Sequence, residues 1–277
     1  MKYAFWLITL LFFTAPDSFA APMEVESRLT ATGRGDRAFL ERLENALAQT
    51  EKRIRAIFGM DAAGRAVVVR SQENFDLTLS DADASSGRGK THILLINSEV
   101  VQNYSAADLQ IACARGLYLM VWPKFRKPYS TDNVLVERLY VEGMTAYAAE
   151  LLYPKAQFWT CAGLYGNEGK GLYKQYLPLE KSLAEEVQRT LAAGAARHAD
   201  DRLVSRQRTG STACLIPAGA FLSFRIIKTF EKDMDPKMIQ LMDFNEFRER
   251  LPAGLEKLRQ GFKQAKYTSP IRGRKTQ

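Results

Sequence analysis

The chain has 277 residues, of which 46% are hydrophobic and 10% aromatic, a composition that supports a large core and excludes an intrinsically disordered protein. Its length suits one domain, or one domain with a helical C-terminal lobe. The formal net charge of +8 favours contact with acidic surfaces such as anionic lipid or cell-wall polymers.

The N-terminus has the three parts of a secretory signal peptide. Lys2 supplies the positive start, residues 4–13 (AFWLITLLFF) form a short apolar core, and residues 18–20 (SFA) form a small-residue cleavage site. We therefore expect cleavage near Ala20 and a periplasmic or secreted protein with no transmembrane segment after cleavage. Export makes nucleic acid a poor candidate partner.

The sequence that follows predicts one helix and three strands. An amphipathic pattern predicts the helix, and β-branched or alternating runs predict the strands, at residues 36–60, 66–70, 74–79 and 91–97. The segment ASSGRGKT matches a relaxed phosphate-binding pattern, but it leads into a strand and not into a helix. We interpret it as a turn before an edge strand that begins near His92, a strand residue rather than a ligand.

Two helices joined by a proline-containing turn occupy the middle of the sequence. The first is expected over 105–122, with Ser105 as N-cap, Asp108 in the capping-box position and Pro123 at its end. The second is expected over 131–152, where apolar residues recur at helical spacing.

These helices resemble the paired site helices of gluzincin-type zinc metallopeptidases. IACARGL, from Ile111, stands where the family has an IAHExxH-like sequence, and YVEGMTAYAAELLYP, from Tyr140, resembles its downstream EGxAxY helix. In that family two His one turn apart bind zinc, the intervening Glu is the general base, and a Glu on the next helix completes the metal shell. The order of the predicted elements is also the order in this family. The resemblance implies an α+β, zincin-like fold. An N-terminal helix and a small mixed sheet carry the site helix, and a mostly helical C-terminal lobe follows.

Most of the family's functional positions are empty in this chain. Residue by residue, Cys113 and Leu117 stand at the His positions, Ala114 at the general base and Glu142 at the third ligand. A catalytic zinc needs about three protein ligands, and the chain's two His lie on neither helix. We therefore expect these four positions to be vestigial, with no metal, no other cofactor and no zincin catalysis.

A buried relic carboxylate at Glu142 must find a hydrogen-bond donor or be protonated. The donors that the sequence suggests are Arg115, Arg138, Arg225 and the Tyr118 hydroxyl. Arg225 lies in a segment, 218–230, that resembles the GxxLGxxI-like helix of related metallopeptidases. It is expected either to pair with Glu142 or Glu150 or to face solvent.

The C-terminal half predicts a helical lobe. Aromatic and glycine residues alternate over 153–176, which we expect to be a loop that lines a groove or packs on the lobe. A helix is expected over 179–196, and the last one begins at Asp243 and is separated from a final turn by Pro252. The predicted organisation is signal peptide 1–20, N-terminal α/β lobe 21–125, helical lobe 126–262 and basic flexible tail 263–277.

Three cysteines remain after export. An oxidising compartment favours one disulfide, and we expect Cys161–Cys214 because both residues fall at predicted element ends while Cys113 is in mid-helix. Cys113 is then a small buried hydrophobe or a reactive thiol.

Three functions remain open from the sequence. The first is a non-catalytic exported protein that binds a peptide or cell-envelope ligand in the former substrate cleft. The second is a hydrolase that uses Cys113 or Glu142 in a site unrelated to zincins. The third is a structural partner of an envelope assembly, with the aromatic 158–176 region as its interface.

Overall fold

The computed structural model describes most of the chain after residue 23. The described residues are 24–27, 34–62, 65–71, 77–81, 92–125, 134–193, 204–206, 213–215 and 217–262. The predicted signal peptide, His198, most of the Gly-containing turn before the third predicted strand, and the basic tail lie outside them. The predicted lobe boundary at 125/126 also falls at the edge of a segment that is not described.

The N-terminal half is α+β. Its elements in chain order are β1 (Glu24–Ser27), α1 (Arg34–Phe58), β2 (Arg65–Val69), β3 (Leu77–Asp81), β4 (His92–Asn97), α2 (Ser98–Val101) and α3 (Ala106–Phe125). The predicted helix and the three predicted strands are confirmed to within a few residues. Apolar side chains of α1, among them Leu43 and Ile54, are fully buried, as its amphipathic pattern predicts.

The four strands form a mixed sheet in the order β1-β2-β4-β3. The pairs β1–β2 and β2–β4 are parallel, and β3 runs antiparallel to β4 with Leu79 opposite Leu94. The prediction that strand 91–97 is an edge strand is therefore wrong, because β3 occupies that edge. The continuous apolar run of β4 (ILLI) fits an interior position, and Leu94 and Ile96 are fully buried.

Helix α3 lies against the β3–β4 side of this sheet. A Cβ added at Gly116 would come within 2.8 Å of the Leu77 side chain and 3.1 Å of the Leu94 side chain. The glycine therefore permits the helix backbone to approach the sheet closely.

The C-terminal half is almost entirely helical. Its elements are α4 (Val134–Leu152), α5 (Phe158–Cys161), α6 (Gly166–Tyr176), a 3₁₀ turn (Leu177–Leu179), α7 (Glu180–Ala192), β5 (Val204–Arg206), β6 (Ala213–Leu215), α8 (Pro217–Phe230), α9 (Pro236–Leu241) and α10 (Phe244–Arg259). Helix α8 is its centre, with nearly every residue from Ala218 to Phe230 buried. A Cβ at Gly143 of α4 would lie 2.8 Å from the Ser223 carbonyl oxygen, so α4 and α8 pack backbone to backbone.

Three predictions for this half and its boundary are wrong. The 153–176 segment is largely helical, with α5 and α6 inside it. Gly163, in the turn before α6, and Gly166, the first residue of α6, adopt left-handed backbone (φ +82° and +64°), so these glycines shape a short connection rather than a long loop. Pro123 and Pro252 lie inside α3 and α10, which continue to Phe125 and Arg259. In α10 the buried side chains of Leu251 and Leu255 lie on either side of Pro252 and stabilise the helix despite the missing N–H donor.

Within the described ranges, no helix is both long enough and apolar enough to cross a bilayer.

Candidate functional site: the Arg115–Glu142 pair between α3 and α4

The two predicted site helices pack against each other. Helix α3 begins as predicted, because Ser105 Oγ accepts a hydrogen bond from the Asp108 N–H (3.1 Å) and donates one to Asp108 Oδ2 (2.8 Å). The cap fixes the first turn and therefore the direction in which each later side chain points.

The three α3 positions that were expected to be vestigial face the core. Cys113, Ala114 and Leu117 have no exposed surface. Between residues 111 and 120, Arg115 and Leu119 alone are half-buried rather than buried. Since these two residues are one helical turn apart, they define the open face of α3.

Glu142 meets this open face and not the face of Cys113 and Leu117. Its carboxylate accepts a hydrogen bond from Arg115 Nη2 at 2.5 Å. Arg115 was one of the four predicted partners, so this pairing is confirmed. The two side chains retain 14% and 26% of their exposure, which leaves the ion pair accessible from one side.

The guanidinium of Arg115 is also held by the turn before α6. Its Nη1 donates to the Tyr165 hydroxyl at 3.4 Å, and a Cβ at Gly163 would lie only 1.9 Å from Nη1. The absence of a side chain at Gly163 thus leaves the space that the guanidinium occupies.

A shallow depression of about 330 Å³ has Tyr165, a partner of Arg115, in its lining. It is lined by the loop before α3 and the start of α6, and the rings of Tyr104 and Tyr165 in its wall lie 4.5 Å apart between centroids. Tyr165 therefore connects this depression to Arg115.

The other predicted partners of Glu142 have different contacts. Arg225 was expected to pair with Glu142 or Glu150 or to face solvent, and both expectations are wrong. It is buried and donates to the Glu180 carboxylate and to the Phe262 carbonyl oxygen (3.1 Å), because its position on α8 points towards α7 and the end of α10. Tyr118 packs edge-on against Phe58 with centroids 5.7 Å apart, and the Nε of Arg138 is buried without a hydrogen-bond partner.

Sequence reasoning missed a second charged cluster, between α4 and α8. Lys228 is fully buried and donates to Glu150 (2.8 Å) and Glu231 (2.5 Å). Burial raises the pKa of Glu150, and the Lys228 ammonium partly opposes that rise. The i, i+3 spacing of Lys228 and Glu231 was the available signal, but it did not reveal Glu150.

The residues around the α3–α4 site do not fit a zinc ion. The Glu142 carboxylate is already hydrogen-bonded to the Arg115 guanidinium. Cys113 and Leu117 lie on another face of α3, and Leu117 has no ligating atom. In the part of the chain that the structure describes, no group of three or more His, Cys, Asp or Glu side chains could hold a metal.

The side chains of Cys113 and Cys161 are both buried. Burial raises the pKa of Cys161 to about 12, which disfavours the thiolate needed for disulfide exchange. Cys214 lies in β6, and the Cys161–Cys214 disulfide stays a prediction. The full burial of Cys113 argues against a reactive nucleophile at that position.

The aromatic region that was a candidate interface packs inwards. Phe158 stacks on Phe224 with ring centroids 4.4 Å apart, and Tyr173 packs on Phe221 at 5.9 Å. These rings therefore attach α5 and α6 to α8.

No protein-family model matches this sequence, and comparisons with curated proteins and with solved structures find no match either.

Proposed function

We propose that this protein is an exported, zincin-like protein without zincin catalysis, which binds a peptide or another cell-envelope ligand in the groove between β3 and α3. One observation carries the proposal: the Glu142 carboxylate, at the position of the third zinc ligand, is neutralised by Arg115 at 2.5 Å. A guanidinium supplies the positive charge that a metal supplies in an active enzyme, but it provides no open coordination position for water.

Two features support the zincin-like part of the proposal. The order α1, β2, β3, β4, α3 is the order that the resemblance implies, and α3 packs on α4 as two site helices must. The strand that borders the cleft in this reading is β3, the antiparallel edge strand, and not β4.

The free edge of β3, which would border this groove, suits an extended ligand. Among the described strands β3 has one neighbour, β4, so its other edge can pair with a peptide backbone by strand addition. The net charge of +8 favours acidic ligands over basic ones.

Hydrogen–deuterium exchange tests the ligand site directly. The probe is a synthetic pool of acidic decapeptides, added in excess to the purified protein. We expect amide exchange to slow in β3, where the added strand supplies carbonyl acceptors. The other edge strand, β1 (Glu24–Ser27), is the matched control and should exchange at an unchanged rate.

Unchanged exchange in β3, or equal slowing in β1 and β3, would contradict the proposed groove. A basic decapeptide pool gives the charge control and should slow exchange in β3 less than the acidic pool does.

A further inference from the structure

The corner between α6 and α7 exposes apolar side chains in a basic setting. We call residues 170–181 the α6–α7 corner. At its tip, in the 3₁₀ turn, Leu177 is 43% exposed and Leu179 49% exposed, with Pro178 exposed between them. A solvent-facing pair of leucines on a three-residue turn exposes apolar surface that water does not favour.

Contacts on both sides of the turn hold these leucines outwards. Before it, the Tyr173 and Tyr176 rings pack on Phe221 of α8 at 5.9 and 6.0 Å. After it, the Glu180 carboxylate is bonded to the buried Arg225. Because both ends are attached to α8, the turn cannot fold its leucines into the core.

The charge of the corner is positive. Lys170, Lys174 and Lys181 are all exposed, whereas its one carboxylate, Glu180, is buried and paired with Arg225. Lys170 and Lys174 are one turn apart, and Leu177 follows three residues later, so the three share one side of the chain. The corner thus combines apolar side chains with cations on one surface.

A second exposed apolar pair serves as an internal comparison. We call residues 232–243 the α9 corner; its Met238 and Leu241 are 55% and 61% exposed. This segment has the same length, but it contains two Lys and three Asp, against three Lys and one Glu in the α6–α7 corner. The α9 corner thus exposes its apolar side chains more than the α6–α7 corner does, but its local charge is negative. Apolar exposure alone therefore does not separate a membrane-binding corner from an ordinary one, whereas local charge does.

We propose that the α6–α7 corner docks the protein onto an anionic lipid surface, with Leu177 and Leu179 inserted among the headgroups and Lys170, Lys174 and Lys181 near the lipid phosphates. Shallow apolar insertion combined with attraction of basic side chains is the usual energetics of peripheral membrane binding. The site is independent of the groove between β3 and α3.

Vesicle co-sedimentation of the purified protein tests the proposal. The probes are sucrose-loaded vesicles of phosphatidylglycerol and phosphatidylcholine in equal amounts, and vesicles of phosphatidylcholine alone. We expect binding to the anionic vesicles only. Leu177→Ser/Leu179→Ser should lower the partition coefficient about tenfold, and Lys174→Gln/Lys181→Gln about 25-fold, roughly fivefold for each lysine.

Met238→Ser/Leu241→Ser is the matched control and should bind like the unsubstituted protein. All variants carry the same N-terminal sequence, so its contribution cancels, and unchanged urea midpoints verify their folding. The proposal is overturned if the protein does not bind anionic vesicles, or if the α9 variant loses as much binding as the leucine variant. It is also overturned if binding depends on the lysines but not on the leucines, since that result indicates adsorption of a basic protein to any polyanion.

Discussion

Two ion-pair sites on α4 use the same chemistry at different depths. Near the C-terminal end of α4, Glu150, whose side chain is 13% exposed, meets Lys228, which has no exposed surface, while in the middle of the helix Glu142 meets Arg115 in a pair that keeps 26% and 14% of its side-chain exposure. The Lys228 cluster is closed by α8, whereas the Arg115 pair adjoins an open depression through Tyr165.

The difference assigns different roles to the two sites. An ion pair whose cation is fully buried mainly joins helices, and removing the cation destabilises the fold because it leaves partly buried carboxylates unpaired. A pair that is open on one side can also meet a ligand, at the cost of a weaker contribution to stability. We therefore expect the Lys228 site to contribute more to stability than the Arg115 site.

The largest expected effect follows removal of the buried cation, Lys228. Lys228→Met leaves two carboxylates facing each other without a cation, which should lower the free energy of unfolding by about 3–5 kcal/mol. Urea denaturation measures the loss. Arg250→Met, in an exposed pair with Glu246, is the control and should cost less than about 1 kcal/mol; equal losses in the two variants would contradict the comparison.

The loss at Lys228 should depend on pH. The pKa of Glu150 is raised by burial and lowered by Lys228, so removing the lysine raises it further. A carboxyl with a raised pKa in the folded state stabilises the fold below its unfolded pKa, and that contribution disappears as pH rises through the folded value. The cost of Lys228→Met should therefore shrink as the pH is lowered from about 7 to about 5.

Lys228→Met/Glu231→Gln isolates Glu150 in this experiment. Its unfolding free energy, measured against Glu231→Gln alone, should show the same pH trend. A cost that is constant with pH, or that grows in acid, would mean that Glu150 is not the titrating group.

The Arg115–Glu142 pair should contribute less to the free energy of unfolding. Arg115→Met removes a charged hydrogen bond to Glu142 and should cost about 1.5–3 kcal/mol in the same urea experiment. Glu142→Gln keeps an acceptor oxygen opposite Arg115 and should cost less than Arg115→Met. A cost above that of Lys228→Met would reverse the assignment of the two sites.

The smallest expected effect concerns two glycines at the start of α6, and it tests whether the Arg115 guanidinium occupies the space beside Gly163. Gly163→Ala and Gly166→Ala both place a side chain on left-handed backbone, which costs about 1 kcal/mol. Only the methyl group at 163 meets the Arg115 guanidinium, whereas nothing lies within 4 Å of the Cβ position at 166. Gly163→Ala should therefore cost more than Gly166→Ala, and the excess should vanish in an Arg115→Ala background; an excess that persists would show that the guanidinium does not occupy that space.

Local signals predicted much of the fold. The amphipathic stripe of α1 predicts the helix itself, which begins two residues earlier than expected, at Arg34. The capping residues Ser105 and Asp243 lie at the starts of their helices as expected. Each of these signals acts within a few residues along the chain, so a single sequence contains it in full.

The rest depends on packing between distant segments. Helix α3 is apolar on nearly all sides, so its sequence does not reveal that Arg115 and Leu119, rather than Cys113 and Leu117, lie on the open face. The order of strands in the sheet and the pairing of Arg225 with Glu180 are likewise contacts across long sequence separations, which periodicity does not encode.

The central claim is that Arg115, and not a metal ion, is the cation beside Glu142. The most direct measurement is the zinc content of the protein purified without chelators, by inductively coupled plasma mass spectrometry, compared with that of Glu142→Gln. We predict zinc far below one ion per chain in both proteins. About one zinc per chain, removed by Glu142→Gln, would contradict the account.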